Sequence, residues 1–141
     1  MLILMVGLLT APALAQPYLT PKVASVYRGK VVRVVDGDTV DVLLYLGFDV
    51  CIKHRVRMLD VYAAESREKN GYDHTSYLSH LLPEGAEVVV RTNNDSTDKY
   101  GRVVAEIWAS NIFVNAEMRR AIGQPQGLGL GSIKPKPKTN Q

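Results

Sequence analysis

A mainly β chain with short helices, of the α+β class, is the fold that this sequence predicts. Apolar side chains alternate with a period of two through Thr39–Leu46, Val50–Leu59 and Gly101–Ala109, and branched residues crowd Gly29–Val35 and Ala86–Arg91. Helical spacing is confined to Tyr77–Leu82 and to a short stretch before Gly123. Three strands, a helix, two strands and a short helix can close a five-stranded barrel of the OB type, an architecture that commonly binds oligonucleotides on one face.

The first strand ends at Asp36-Gly37-Asp38, a glycine flanked by aspartates, which reads as a turn or bulge. In the second strand Val40, Val42 and Leu44 share one face, and Gly47 permits the reversal into the third. There Val50, Ile52, Val56 and Met58 have one parity and Lys53, Arg55 and Arg57 the other, so one face packs on a core and the other carries positive charge. His54 interrupts the apolar parity. Asp73 is the expected N-cap of the helix containing Tyr77, Leu78, Leu81 and Leu82, and Pro83 with Gly85 ends it. Thr92–Tyr100 is polar and reads as a loop. Asn111–Ala121 reads as a short strand followed by a short helix that stops at Gly123.

The barrel domain is expected over residues 26–123. Residues 1–15 form an uncharged apolar run ending Ala13-Leu14-Ala15, the small-x-small pattern of a signal peptide, too short to span a bilayer as a helix. The expected location is therefore secreted or periplasmic, with the cytoplasm as the alternative, and no transmembrane span. Residues 16–25, with Pro17 and Pro21, read as a linker, and residues 124–141, rich in Gly, Pro and spaced Lys, as a disordered basic tail.

Composition excludes global disorder: 46% of the residues are hydrophobic, enough to build a core for one domain. A net charge of +3 is compatible with a polyanionic partner without demanding one. The single cysteine, Cys51, rules out an internal disulfide, and its apolar strand context predicts a buried small hydrophobe.

The chemistry concentrates at strand ends. Asp36 and Asp38 flank one turn, Arg57 and Glu65 bracket the exit of the third strand, and Asp98-Lys99-Tyr100-Gly101-Arg102 is a second turn that delivers a guanidinium to the start of another strand. Two arginines can grip a phosphodiester and offset the extra charge of its transition state. One carboxylate can hold a hard cation, and a second can activate water.

The Asp36–Val40 turn (D-G-D-T-V), the Arg57–Glu65 strand end (R-M-L-D-V-Y-A-A-E) and the Asp98–Arg102 turn (D-K-Y-G-R), in that order, resemble the staphylococcal (micrococcal) nuclease, or thermonuclease-like, family over about Arg28–Gly123. The resemblance implies an OB-type barrel and Ca²⁺-dependent hydrolysis of phosphodiester bonds in DNA and RNA; a monomer is expected. It implies Asp38 as a metal ligand, with another divalent ion as an alternative to Ca²⁺. Arg57 and Arg102 match the phosphate arginines, Glu65 the general base, and Lys99 and Tyr100 residues near bound nucleotide phosphate.

One departure bears on the metal. The family strand ends in D-T-P-E or D-A-P-E, whereas here the segment is Tyr62-Ala63-Ala64-Glu65. Tyr62 replaces a carboxylate with a neutral phenol, a poor ligand for a hard cation. The backbone carbonyl of Ala63 remains available, and Asp60 is an alternative ligand. A nuclease-fold domain that binds nucleic acid with little or no cutting is therefore the alternative function. The family's long C-terminal helix and nucleotide-stacking tyrosines have no counterpart after Gly123.

Overall fold

The computed structural model describes residues 24–126, and of residues 93–96 the backbone alone. The leader expected over residues 1–15, most of the linker and the tail from residue 127 lie outside the described residues. Strands β1 (Ala24–Asp36), β2 (Thr39–Gly47) and β3 (Val50–Met58) form an antiparallel meander, and helix α1 (Gly71–Leu81) follows. Strands β4 (Glu87–Thr97) and β5 (Val103–Ala109), a two-residue β6 (Ile112–Phe113) and helix α2 (Val114–Ala121) complete the order.

β1 pairs with β2 along one edge and with β4 along the other, β4 pairs with β5, and β5 returns to lie parallel to β3. That last pairing closes the sheet into the expected five-stranded OB-type barrel. It aligns Val56 with Val103 and Arg57 with Val104, so the end of β3 lies beside the start of β5. On the other side of β3, Arg57 is opposite Thr39, immediately after the β1–β2 turn. Three stretches distant in sequence therefore converge at one end of the barrel.

The inward face carries the residues that alternation selects. Val40, Val42, Leu44, Val56, Met58, Val103, Ala105 and Ile107 are all buried, with Leu78 of α1, Leu82 at its C-cap and Val114 and Met118 of α2 packed against them. Burying each such Val, Leu, Ile or Met side chain contributes about 1.5–3 kcal/mol. Gly29 is needed where β1 crosses β2: a Cβ there would lie 2.6 Å from the Leu43 carbonyl oxygen.

Four expectations are corrected. Val50 and Ile52 have the inward parity, but they are exposed together with Leu46 and Phe48, because the β2–β3 hairpin runs past the barrel wall. Cys51 is exposed, since it shares the outward parity of Lys53 and Arg55. Asp73 is not the N-cap of α1; Asn70 occupies that place with a left-handed φ of 70°, and Asp73 lies in the first turn, where the helix dipole favours an acid. The polar stretch after Arg91 continues β4 to Thr97, because its backbone finds partners in both Ala24 of β1 and Val103 of β5.

Candidate active site

The turn between β1 and β2 sets the floor of the site. The Asp38 backbone N–H donates to the Asp36 carboxylate at 3.2 Å, and Asp38 itself is buried. Its Oδ1 accepts the Thr39 hydroxyl at 2.9 Å and pairs with the Arg57 guanidinium. Its Oδ2 accepts the Ala63 backbone N–H at 3.1 Å, which ties the segment after β3 down onto the turn. Gly37 makes that approach feasible, because a Cβ there would sit 2.6 Å from the Ala63 Cβ and 2.7 Å from that of His74.

The segment 59–70 carries Glu65 and is fixed along its length. Leu59 N–H donates to the Ala105 carbonyl at 2.8 Å, Tyr62 N–H to the Gln124 side chain at 2.8 Å, and Ala64 N–H to Nδ1 of His74 at 3.1 Å. For His74 to accept there, its ring proton must sit on Nε2. Buried Asn115 braces the other side, accepting Ile107 N–H at 2.8 Å and donating to the carbonyls of Leu59 and Ala105 at 3.0 and 3.2 Å. Gly71 packs under Glu65 so closely that it has no room for a Cβ.

The second arginine is set by its own turn. Asp98 accepts N–H groups from Tyr100 at 2.9 Å and Arg102 at 3.0 Å through one oxygen, and the Arg102 Nε at 2.7 Å through the other. Gly101, at φ 76°, closes the turn. Lys99 and Arg102 both lie over the Tyr100 ring, at 4.8 and 5.3 Å from its centroid.

These parts enclose an inner cleft of about 130 Å³ lined by Asp36, Asp38, Arg57, Ala63, Glu65 and Arg102. A wider recess of about 390 Å³ shares Asp36, Glu65 and Arg102 and adds Val35, Thr39, Arg55 and Tyr100. The structure thus brings together Asp38, Arg57, Ala63, Glu65 and Arg102, with Tyr100 at the outer rim. Tyr62 is 54% exposed and is not a wall of either space, while Asp60 occupies a tight left-handed turn at φ 56° and also lines neither. Another recess of about 390 Å³, lined by Arg28, Glu87 and Trp108 among others, has no convergent arginines at its single acid, which pairs with Lys30.

Burial, and then the neighbouring Arg102 guanidinium, push the Arg57 guanidinium below its ordinary value, although Asp36, Tyr62 and Asp98 act the other way. Two cations crowded into one half-buried cleft are poised for an anion between them. Desolvation raises the Asp98 carboxyl, but the hydrogen bonds from the Arg102 side chain and from two backbone N–H groups outweigh it and leave the carboxyl below its ordinary value of 3.8.

Asp41, outside the cleft, is lowered likewise, first by its bond from Arg55 and, against the opposing desolvation, by its bond from Arg33. Both aspartates therefore stabilise the fold above pH 3.8, and that contribution disappears as pH falls through their lower folded values. Thermal unfolding followed below about pH 5 should show a steep acid limb that Asp41→Asn flattens; an unaltered limb would mean that Asp41 is not a source of acid sensitivity.

The cleft offers hard oxygen donors from Asp36, Asp38 and Glu65, the chemistry that Ca²⁺ and Mg²⁺ require. Among the described residues, no three acidic, histidine or cysteine side chains converge into a closed cage. The donor set suits a cation held by one or two carboxylates and completed by water and substrate phosphate.

Residues 55–121 match the family described as staphylococcal nuclease homologue. Those residues are staphylococcal-nuclease-like. The matched segment of this nuclease-like domain runs from Arg55 to Ala121 and includes Arg57, Glu65 and Arg102. Among curated relatives, the chain is 31% identical over 106 residues to Protein ParB of Escherichia coli, covering 75% of this chain and 52% of the relative. It is 30% identical over 102 residues to an uncharacterized endonuclease of Escherichia coli (72% and 61%), and 34% identical over 83 residues to a micrococcal nuclease of Shigella flexneri (59% and 43%). The chain therefore spans about half the length of these relatives.

Asp98, His74, Asn115 and Gly71 are the positioning residues that sequence reasoning missed. Asp98 was within reach, as the first residue of a turn that ends in the arginine it holds. The other three act across the fold, and no local pattern marks them.

Proposed function

We propose that this domain is a phosphodiesterase that hydrolyses DNA, RNA or both, as a nuclease. The observation that carries the reading is the cleft in which Arg57 and Arg102 face Glu65 and Asp38. Similarity to an uncharacterized endonuclease and to a micrococcal nuclease supports it.

In this reading the two guanidinium groups bind the nonbridging oxygens of one phosphate, whose charge relieves their mutual repulsion. Glu65 accepts a proton from the attacking water as the new P–O bond forms in line with the bond that breaks. Arg57 and Arg102 gain strength as charge accumulates on the equatorial oxygens, which is where an electrostatic contribution lowers the barrier. Asp38 holds Arg57 in place and, with the Ala63 carbonyl, would hold Ca²⁺ or another divalent ion. When bound, such an ion neutralises phosphoryl charge. Lys99 and Tyr100 would meet the flanking nucleotide at the rim.

Tyr62 and Asp38 test the reading. Asp38→Asn should abolish metal-dependent cleavage. Tyr62 lines neither space but adjoins Ala63 and acts electrostatically on Arg57, so Tyr62→Asp should add negative charge at the edge of the cleft, tighten Ca²⁺ binding and raise Ca²⁺-dependent cleavage, because affinity grows with ligand charge. Calorimetric titration of both variants with Ca²⁺, alongside cleavage, reads the result. Metal affinity unchanged in both would place the cation elsewhere. Lower nucleic-acid affinity with no added cleavage in Tyr62→Asp would make Tyr62 a stacking residue instead.

A further inference from the structure

The strand register lays a basic surface beside the cleft. On the outward face of the meander, Asp36, Thr39 and Arg57 form the row at the cleft, and Arg33, Asp41 and Arg55 form the next. Behind them lie Lys30, Leu43 and Lys53. Along β3 the cations Arg57, Arg55 and Lys53 stand two residues apart, a step of about 6.6 Å at the ordinary strand rise. Like charges stacked along one face of a sheet are destabilising without a compensating partner.

Asp41 is that partner, and it compensates incompletely. Its side chain is 3% exposed, yet Arg33, Lys53 and Arg55 above it remain 60%, 55% and 44% exposed. Three cations share one carboxylate. The Arg33 Nε reaches it at 2.9 Å, the Arg55 Nε at 2.8 Å, and the Lys53 ammonium stands off at 4.0 Å. An arginine has five N–H donors, of which Asp41 accepts one from Arg33 and two from Arg55. The carboxylate beneath fixes the guanidinium groups while their outer edges face solvent. The surface is continuous with the site, because Arg55 also lines the wide recess together with Arg102 and Glu65.

We propose that Arg33, Arg55 and Lys53, organised by Asp41, form a track for the phosphates flanking the scissile one, so that the preferred substrate is an extended polynucleotide strand and not a dinucleotide. The step between cations along β3 is close to the interval between phosphates of an extended strand. This inference rests on the proposed function and names its substrate class.

Binding under a chelator, so that no cleavage intervenes, tests it. Fluorescence anisotropy is read with labelled single strands of roughly 4 and roughly 16 nucleotides, the span of site sizes for OB folds, over a series of salt concentrations. The wild type should bind the longer strand more tightly and with a steeper salt dependence. In the double variant Arg33→Gln/Lys53→Gln, Arg55 keeps Asp41 paired. Its log–log salt slope on the longer strand should fall by about 1.4, since each lost phosphate contact removes about 0.7 for a single strand. Lys53→Gln alone, which removes the least engaged cation, should lower it by about 0.7. The effect on the short strand should be smaller in both variants. Unchanged slopes in both, with wild-type binding intact, would overturn the track and leave the proposed function standing. A wild type that binds neither strand would also overturn the track, while cleavage with Ca²⁺ decides the proposed function separately.

Discussion

Replacing Arg102 by alanine is expected to lower the rate of phosphodiester cleavage about a hundredfold, the loss of roughly 3 kcal/mol of transition-state stabilisation. The guanidinium is one wall of the inner cleft, held there by Asp98 through Nε and a terminal nitrogen, both at 2.7 Å. Its removal leaves the Asp98 turn with three backbone hydrogen bonds to that residue's side chain and carbonyl, from Tyr100, Gly101 and Arg102, so the fold should persist. Lysine should rescue poorly, because a single ammonium cannot hold Asp98 and phosphate with the geometry of a planar fork. Steady-state kinetics with a circular-dichroism melt separates the two effects. Normal turnover in Arg102→Ala would remove this residue from the mechanism.

A comparable loss of activity is expected from Gly71→Ala, which touches no substrate. A Cβ at Gly71 would lie 1.7 Å from the Glu65 carbonyl oxygen, 2.5 Å from its carbon and 3.0 Å from the Ser66 Cα. All three are backbone atoms and cannot swing aside, so the segment that carries Glu65 must move by more than an ångström. A misplacement of that size at a reacting group costs about a hundredfold in rate. Helix propensity works in the opposite direction, since alanine in a helix is favoured over glycine by about 1 kcal/mol. The expected variant therefore retains its helical circular-dichroism signal and most of its thermal stability while losing turnover, with KM changing less than kcat. A fully active Gly71→Ala protein would show that the position of Glu65 is not what limits the reaction.

How much of this was legible in the sequence follows from how local each cause is. Alternation identified the inward residues of β2, the end of β3 and β5, because side-chain parity is fixed by neighbours two residues away. It could not reveal that the β2–β3 hairpin outruns the barrel, which depends on where the other strands stop, and so Val50 and Ile52 were assigned to the core. The parity that turns Arg55 outward also turns Cys51 outward, and its apolar neighbours concealed this. The polar end of β4 carries no hydrophobic pattern because its pairing is with backbone on both sides.

In the site, Asp38, Arg57 and Arg102 were visible as strand-end residues. Their meeting rests on the parallel β3–β5 pairing, a contact between segments more than forty residues apart. The bonds from Ala64 to His74 and from Asn115 to Leu59 are equally nonlocal, and a lone histidine or asparagine gives no sign of them.

Release of acid-soluble nucleotides from single-stranded DNA and RNA by the purified protein, with Ca²⁺ and with EDTA, tests the central claim most directly. The cleft predicts cleavage of at least one of the two polymers with the cation present and its loss in EDTA. Intact polymer under both conditions, from folded protein that binds it, would contradict hydrolysis and leave a domain that holds nucleic acid without cutting it.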